Sequence, residues 1–296
     1  AVDVCARVEA AGAAEVIRQK TGMNLSPYFP ASKIAWLLEN EEGAKEAAER
    51  HEICHGTIDS WLVFKLTEGK EYRTDYSNAS RTQLFNIFDL KWDDEICKLF
   101  GIDPANMAEV TDSDACFGET DFEGLLPHKI PIHGVLGDSH GSLFGQGCLQ
   151  PGMIKSTYGT GSSIMMNIGE KPILSTHGVV TSLAWKIGGK VNYVLEGNLN
   201  YTGAVITWLK DDLQIIASPG ETGPLAKAAI QEDSLYLVPA FSGLGAPYWD
   251  SEARASVVGM SRTTRKAEFV RAALECIAYQ ITDVVQAMSE DAGVPV

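Results

Sequence analysis

The sequence predicts an α/β protein with two domains, and three features support this prediction. The chain has 296 residues, which is more than one hydrophobic core usually serves. Its first 50 residues are rich in Ala and Glu and predict helices, whereas the residues after Cys148 predict two β-hairpins. Helical and strand patterns then alternate, as in a mixed sheet covered by helices. We therefore expect a domain boundary at Gly147, between residues 1–147 and 148–296.

Local patterns predict the elements of the first domain. An apolar face that includes Trp36, taken as a core residue, predicts a helix near 34–38, and the segment 57–66 predicts another. The polar segment 75–81 is expected to form a loop. A strand is expected over 132–136, directly before a glycine-rich segment.

Paired β-rich runs and helical patterns predict the second domain. The runs 153–158 and 163–168 flank a Gly-Thr-Gly turn and predict a hairpin. Thr263 and Thr264 are expected to cap a long C-terminal helix. The further predicted elements are a second hairpin over 182–196, helices near 204–213 and 225–231, and a buried strand over 235–241.

The composition argues against two classes of partner. The formal net charge is −15, so the sequence lacks the basic surface that nucleic-acid binding requires. It also lacks an apolar run long enough for a transmembrane helix, so we expect neither nucleic acid nor a membrane as partner. The six cysteines are scattered, which favours a cytoplasmic location and argues against a zinc site. An anionic ligand would need backbone N–H groups or Mg²⁺ to overcome the negative field.

An isolated carboxylate, Asp138, stands between a predicted strand and a glycine-rich helix start. Phosphoryl transfer to an alcohol needs positioning, charge neutralisation and one carboxylate to accept the hydroxyl proton, so Asp138 is a candidate general base. The alternative is that Asp138 only caps the helix. The pattern of a P-loop does not occur in the sequence, and the adjacent residues Asp138, Ser139 and His140 cannot face one another as a hydrolase triad.

The turn Gly159-Thr-Gly161 is a second candidate site. Glycines allow backbone N–H groups to point at one place, and the Thr160 hydroxyl adds a donor, so the turn is a possible phosphate cradle. An ordinary glycine hairpin turn is the alternative.

Seven motifs along the chain resemble one family. Tyr28-Phe-Pro-Ala-Ser-Lys-Ile-Ala-Trp-Leu-Leu-Glu-Asn40 and the segment 255–275 resemble the paired signatures of the FGGY carbohydrate kinases. Five shorter motifs between them are similar to those of the glycerol kinases in this family. They are Gly56-Thr-Ile-Asp-Ser-Trp-Leu, Asn78-Ala-Ser-Arg-Thr, Phe144-Gly-Gln-Gly, Tyr158-Gly-Thr-Gly and Gly243-Leu-Gly-Ala-Pro-Tyr-Trp-Asp250.

This resemblance implies a fold, a reaction and a set of site residues. The implied fold is two ribonuclease-H-like domains of the actin and hexokinase type, with the active site in their cleft. The implied reaction is ATP-dependent phosphorylation of a small polyol or sugar. Mg²⁺ is expected to be held through the ATP phosphates and the family's N-terminal Asp-x-Gly-Thr loop, with Asp138 as a further candidate ligand. A homo-oligomer is also implied. The implied roles are catalytic base for Asp138, polyol binding for Tyr28, Asp138, Ser139 and Ser163, and ATP binding for Gly159, Thr160, Gly161, Gly203 and Thr207.

Two positions depart from the glycerol kinase pattern. Those enzymes carry Gln directly after the catalytic Asp and Phe three residues after the phosphate-loop Thr, where this chain has Ser139 and Ser163. The exchange implies a larger and more polar pocket. We therefore expect a substrate larger than glycerol, such as a tetritol, a pentitol or a ketose.

The resemblance also implies a central fragment of the family fold. The family's Asp-x-Gly-Thr phosphate loop would precede Ala1, and its Gly-Gly adenosine motif would follow Val296. On this basis residues 1–147 are the later part of the N-terminal domain and residues 148–296 the earlier part of the C-terminal domain, and we expect the isolated chain to be inactive. The alternative function is that of a non-catalytic, actin-like nucleotide-binding scaffold.

Overall fold

A computed structural model describes residues 1–230 and 234–295. The chain folds into two compact units. The first comprises Ala1–Pro151, Asn167–Leu174 and Val180–Leu195, and the second comprises Gly152–Met166, Ser175–Val179 and Glu196–Val296. None of the helices in the described ranges is both long enough and apolar enough to cross a membrane.

The helices of the described residues are mostly short, with one long helix at the C-terminal end. They are α1 (Val2–Ala10), α2 (Ala14–Thr21), α3 (Pro30–Asn40), α4 (Ala44–Glu49), α5 (Ile58–Leu66), α6 (Tyr76–Ser80), α7 (Asp94–Leu99), α8 (Asp138–Gly145), α9 (Gly203–Thr207), α10 (Thr222–Ala228) and α11 (Lys266–Ala292). A π-helical segment, Trp208–Asp212, directly follows α9, and short 3₁₀ turns lie at Pro104–Asn106 and Pro219–Glu221.

The strands of the described residues form one four-stranded sheet and four two-stranded pairs. They are β1 (Arg73–Asp75), β2 (Phe85–Asn86), β3 (Lys91–Trp92), β4 (Glu109–Thr111), β5 (Cys116–Thr120), β6 (Ile130–His133), β7 (Ile154–Tyr158), β8 (Ser162–Gly169), β9 (Val180–Ile187), β10 (Lys190–Leu199), β11 (Tyr236–Val238) and β12 (Ser256–Val258). The larger sheet has the order β7-β8-β10-β9. Strand β1 pairs in parallel with β4, whereas β2–β3, β5–β6 and β11–β12 are antiparallel.

Separate apolar cores support the two units. In the first unit, α1, α3 and α7 contribute residues to one core, and Leu183 of β9 belongs to a second core together with Phe85 and Tyr193. In the second unit, α11 packs on the residues around α9 and β11, and Phe269 and Ile277 line that core as predicted. The helix predicted at 57–66, both hairpins and the long C-terminal helix are confirmed.

Two predictions about the first unit were wrong. The segment 75–81 contains a helix, α6, because the Asp75 side chain accepts hydrogen bonds from the Ser77 and Asn78 backbone N–H groups and so caps it. The strand before Asp138 ends at His133 rather than at residue 136, because Gly134 takes a positive φ of 82° and turns the chain.

The exposure of one side chain and the ends of two elements also differ from the prediction. Trp36 is 40% exposed because the buried face of α3 is formed by positions 31, 32, 34, 35 and 38. The buried strand over 235–241 is shorter, β11, and alternates exposed and buried residues. The helix predicted to reach Gln231 ends at Ala228, and Gln231 itself lies outside the described residues.

The start of α11 also differs from the prediction. Arg265, and not Thr263 or Thr264, is its N-cap residue. The two threonine hydroxyls are already engaged in a local turn, where Thr264 Oγ1 accepts from the Ser261 N–H at 2.9 Å and Thr263 Oγ1 lies 2.7 Å from Ser261 Oγ.

Candidate functional site

The first unit presents Asp138 at the start of α8. The N-cap position of this helix is Gly137 and Asp138 is its first helical residue, so the N-cap alternative is wrong in position. The Asp138 side chain is exposed, and its Oδ1 accepts a hydrogen bond of 2.6 Å from the Ser139 N–H. An acidic residue in the first turn of a helix is stabilised by the positive end of the helix dipole. Asp138 is thus a fixed but accessible carboxylate.

Tyr28 and Ser139 lie in the same unit as Asp138. Tyr28 immediately precedes the N-cap of α3, and its side chain is 67% exposed. Its ring makes an edge contact with Phe29 at 5.3 Å, and the Lys33 ammonium lies 5.9 Å from the ring centre. Within the described ranges no hydrogen bond joins Tyr28 to Asp138 or Ser139.

The second unit contains all five predicted ATP-binding residues. The tip between β7 and β8 is Gly159, Thr160 and Gly161, and the Gly159 N–H donates to the Gly161 carbonyl at 2.8 Å. The start of α9 packs against this tip. Gly203 N–H donates to the Gly159 carbonyl at 2.9 Å, and the N–H groups of Thr202 and Ala204 both donate to the Thr160 carbonyl at 3.0 Å.

These contacts explain why glycines stand at the tip and at the start of α9. A Cβ atom at Gly203 would collide with the Gly159 carbonyl oxygen, and one at Gly161 would collide with the Leu199 carbonyl oxygen. Neither Gly159 nor Gly161 has a positive φ. Gly161 and Gly203 are therefore needed for the close approach of backbones, and neither glycine of the tip is needed for a left-handed turn conformation.

Some backbone N–H groups at and beside the tip form hydrogen bonds within the protein, and others do not. The N–H groups of residues 202–204 hold the tip and are not available to a ligand. By contrast, the Thr160 and Gly161 N–H groups make no backbone hydrogen bond to any described residue, and Thr160 is exposed. Two amides and one hydroxyl at an exposed turn suit an anionic oxygen, such as that of a phosphate. Thr207 follows one turn after Gly203 and is exposed, with its hydroxyl donating to the Gly203 carbonyl at 3.3 Å.

Ser163 lies on a polar patch of the β7–β8 hairpin. It is opposite Thr157, so both side chains lie on the same face. Its Oγ is buried and has no hydrogen-bond partner among residues 1–230 and 234–295. Lys155, 4% exposed, lies on this face as well and donates to Thr157 Oγ1 at 2.9 Å.

Thr202, Ser162 and Lys155 belong to these sites but had no signal in the sequence. Thr202 is buried, and its hydroxyl lies 2.8 Å from Ser162 Oγ and donates to the Gly159 carbonyl at 3.2 Å. Lys155 is a single lysine within a β-rich run. These contacts form between segments about forty residues apart or through strand pairing, which no local motif reports.

The described residues contain no group of three or more His, Cys, Asp or Glu side chains that could hold a metal ion. The residues that the structure describes therefore do not form a metal cage made only of protein carboxylates. An ion held mainly by phosphate oxygens, with one carboxylate added, remains compatible with the exposed Asp138.

Comparison with known proteins defines the class of the chain. Residues 1–145 match the N-terminal domain of the FGGY family of carbohydrate kinases, and residues 154–296 match the C-terminal domain of the same family. The chain belongs to the FGGY family of carbohydrate kinases.

The individual relatives include glycerol kinases. The glycerol kinase of Bacillus licheniformis is 48% identical over 99% of this chain and 59% of its own length. That of Carboxydothermus hydrogenoformans is 50% identical over 98% of this chain and 58% of its own length. The chain thus spans somewhat less than three fifths of these relatives.

Solved structures show the same fold. Plasmodium falciparum glycerol kinase with ADP superposes with a TM-score of 0.90 at 36% identity, covering 99% of this chain and 59% of that one. A xylulose kinase from Lactobacillus acidophilus gives a TM-score of 0.83 at 23% identity, covering 96% of this chain and 57% of that one. The predicted α/β fold of the actin and hexokinase type is confirmed.

Proposed function

We propose that the protein is an ATP-dependent kinase that phosphorylates a hydroxyl of a small polyol or sugar, with Asp138 as its general base. The observation that carries this proposal is the similarity to glycerol kinases over 98–99% of the chain, together with the ADP in the related Plasmodium structure. The exposed Asp138 carboxylate supports the role of the base, because a proton acceptor must reach the substrate.

In the proposed reaction, Asp138 accepts the proton of the substrate hydroxyl while the oxygen attacks the γ-phosphorus of ATP and ADP leaves. We assign the Thr160 and Gly161 N–H groups and the Thr160 hydroxyl to the ATP phosphates, because they are donors without a backbone partner among the described residues. Gly159 and Gly203 would keep these donors in place, and Thr207 would lie beside the nucleotide.

Mg²⁺ is the metal we expect to accompany ATP. The phosphate oxygens would supply most of its ligands, and Asp138 is the carboxylate of this chain that we propose as a further ligand. The ion would neutralise the charge that develops on the transferred phosphoryl group. Neutralisation matters here because the chain itself carries a formal net charge of −15.

We further propose that the substrate is larger than glycerol, such as a tetritol, a pentitol or a ketose. Ser139 and Ser163 stand where the family pattern has Gln and Phe, so the side chains at these positions are smaller. The Ser163 hydroxyl is buried and lacks a partner among the described residues, so an additional substrate hydroxyl would satisfy it.

The catalytic proposal is tested with Asp138→Asn in the protein expressed from its own gene. Coupled ADP release should fall by roughly 10²-fold or more, while ATP affinity stays within about two-fold. Asp3→Asn, an exposed acid in the first turn of α1, is the matched control and should leave turnover unchanged. Full turnover in Asp138→Asn would remove Asp138 as the base. ATP binding by the wild type without turnover of any polyol or sugar would favour the scaffold alternative.

The substrate proposal is tested on a panel of glycerol, erythritol, the pentitols and the ketopentoses. A larger polyol or a ketose should give the highest kcat/KM, and the double variant Ser139→Gln/Ser163→Phe should shift preference toward glycerol. If glycerol is clearly preferred by the wild type, the two serines do not set substrate size and the protein is a glycerol kinase.

We also infer a cytoplasmic homo-oligomer whose two family domains meet near Gly147. The family matches end at residue 145 and resume at residue 154, which supports that boundary. Cys54 and Cys116 are exposed thiols outside any disulfide, which supports a reducing compartment. Light scattering of the purified protein tests the oligomer.

A further inference from the structure

A buried carboxylate lies behind the segment that leads to Asp138. Asp75, at the end of β1, is fully buried and accepts five hydrogen bonds. The donors are the Ser77 N–H (3.1 Å) and hydroxyl (2.8 Å), the Asn78 N–H (3.0 Å) and side-chain amide (2.9 Å), and the Ser113 hydroxyl (2.7 Å). Together they occupy the acceptor capacity of one carboxylate.

Two serines connect this carboxylate to the segment before Asp138. The Ser77 hydroxyl gives its hydrogen to Asp75, so its oxygen accepts the Gly137 N–H, at 2.9 Å. Ser113 donates its hydroxyl to Asp75, and its carbonyl accepts the Val135 N–H at 3.1 Å. Asp75 therefore fixes two serines, and each serine fixes one amide of the segment.

The bond to Gly137 is the one closest to the candidate base. Gly137 is the N-cap residue of α8 and directly precedes Asp138 in the chain. Ser77 is completely buried, so water does not compete for this bond. The family motif that begins at Asn78 thus lies directly after Ser77, whose hydroxyl holds the backbone next to Asp138.

We propose that Ser77, oriented by Asp75, is a positioning residue for the Asp138 carboxylate. This inference rests on the proposed role of Asp138 as general base. Ser77 touches no reacting atom; it fixes the backbone from which the base projects. A misplacement of about 1 Å at a reacting group can cost roughly 10²-fold in rate, so loss of this bond should reduce turnover more than it reduces substrate binding.

The test compares Ser77→Ala with Ser77→Thr, which keeps the hydroxyl, and with Ser80→Ala. Ser80 is a matched control because it is a buried serine of the same helix, whose hydroxyl donates to the Ser77 carbonyl and accepts the Leu183 N–H. We expect Ser77→Ala to lower kcat roughly 10- to 100-fold, with KM for both substrates within about two-fold. Ser77→Thr should restore most of kcat, and Ser80→Ala should leave it unchanged.

A double-mutant cycle separates positioning from general loss of stability. If Ser77 acts through Asp138, Ser77→Ala should cost little further turnover once Asp138→Asn is present. An equal, additive loss in that background overturns the inference while the base assignment stands. Full turnover in Asp138→Asn alone overturns the base assignment and this inference with it.

Amide hydrogen exchange at Gly137 gives a readout that does not need activity. The Gly137 N–H should be protected in the wild type and in Ser80→Ala, and should exchange at least roughly ten-fold faster in Ser77→Ala. Exchange of the wild-type Gly137 amide at the rate of an unbonded surface amide would overturn the inference, even if Ser77→Ala failed to fold.

Discussion

Replacing Gly203 with Ala is the most direct test of how the Gly159–Gly161 tip is held. The added Cβ would lie 3.2 Å from the Gly159 carbonyl carbon and well inside 3.0 Å of its oxygen. Both atoms are backbone, so no flexible side chain can move aside. The tip must shift by roughly half an ångström or more, which breaks or lengthens the Gly203 N–H bond to the Gly159 carbonyl. Overpacking of this kind costs about 1–3 kcal/mol.

The same shift moves the Thr160 and Gly161 N–H groups, so we expect a functional effect beside the loss of stability. Urea unfolding should show a free energy of unfolding lower by about 1–3 kcal/mol. Calorimetry should show a Kd for ADP raised roughly ten-fold, which corresponds to about 1.4 kcal/mol. Both numbers refer to the protein expressed from its own gene.

Gly223→Ala is the matched control for Gly203→Ala. Gly223 lies in α10, and no atom lies within 4 Å of a Cβ placed there. Alanine should therefore stabilise that helix by about 0.5–1 kcal/mol and leave ADP binding unchanged. If Gly203→Ala binds ADP as tightly as Gly223→Ala does, the packing of α9 on the tip does not position the nucleotide, and the reasoning fails.

Three further predictions concern stability. The hydrogen bond to Asp291 raises the pKa of His177 above its ordinary value of 6.5, so its stabilising effect is fully present below pH 6.5 and is lost as pH rises through the folded-state pKa. The Tm advantage of the wild type over His177→Gln should therefore shrink toward alkaline pH, and a constant difference would contradict this. Asp93→Ala removes the cap of α7 and an acceptor for Asn86 and should cost about 2–3 kcal/mol in urea unfolding, whereas a cost below ~0.5 kcal/mol would contradict the capping role. Leu183→Ala should cost about 2–5 kcal/mol, because the side chain is fully buried, and a smaller loss would mean that the core collapses around the cavity.

Local sequence signals predicted those elements whose structure is decided locally. The β7–β8 hairpin follows from two β-rich runs around a glycine turn, and the helix over 57–66 is found at Ile58–Leu66. The single acid after a glycine predicted where α8 begins to within one residue. In each case neighbouring residues supply the stabilising contacts, so a short window contains the information.

Elements stabilised by distant contacts were missed. Helix α6 has no apolar periodicity, and it forms because Asp75 caps it while Ser77 and Ser80 bond to residues 137 and 183. Thr263 and Thr264 are of a residue type that often caps helices, but their hydroxyls form hydrogen bonds within the turn before α11. Polar residues that are satisfied by tertiary contacts cannot be distinguished from loop residues in the sequence.

At the candidate site too, the sequence indicated the residues that act locally and missed those that act through distant contacts. The sequence motifs indicated Asp138 and Thr160 because a carboxylate and a hydroxyl can themselves take part in proton transfer or phosphate binding. They did not reveal why a glycine is required at 203 or a serine at 77, since each acts on a backbone group in a distant segment. The Gly137 N–H bonds a serine sixty residues away, and Gly203 meets the carbonyl of Gly159.

Backbone contacts position the reacting groups at each of the two candidate centres, which lie in different units. Asp138 and Thr160 are exposed, and the Thr160 and Gly161 amides make no backbone hydrogen bond to any described residue. Residues that touch no substrate orient these groups. The buried Ser77 hydroxyl positions the backbone before Asp138, and Gly203 allows the close backbone contact that holds the Gly159–Gly161 tip. A change at either residue leaves every proposed reacting group in the protein, so it should reduce turnover or nucleotide affinity without removing any of them. Variants of the reacting groups alone would not detect these positioning residues, whereas Ser77→Ala and Gly203→Ala test them directly.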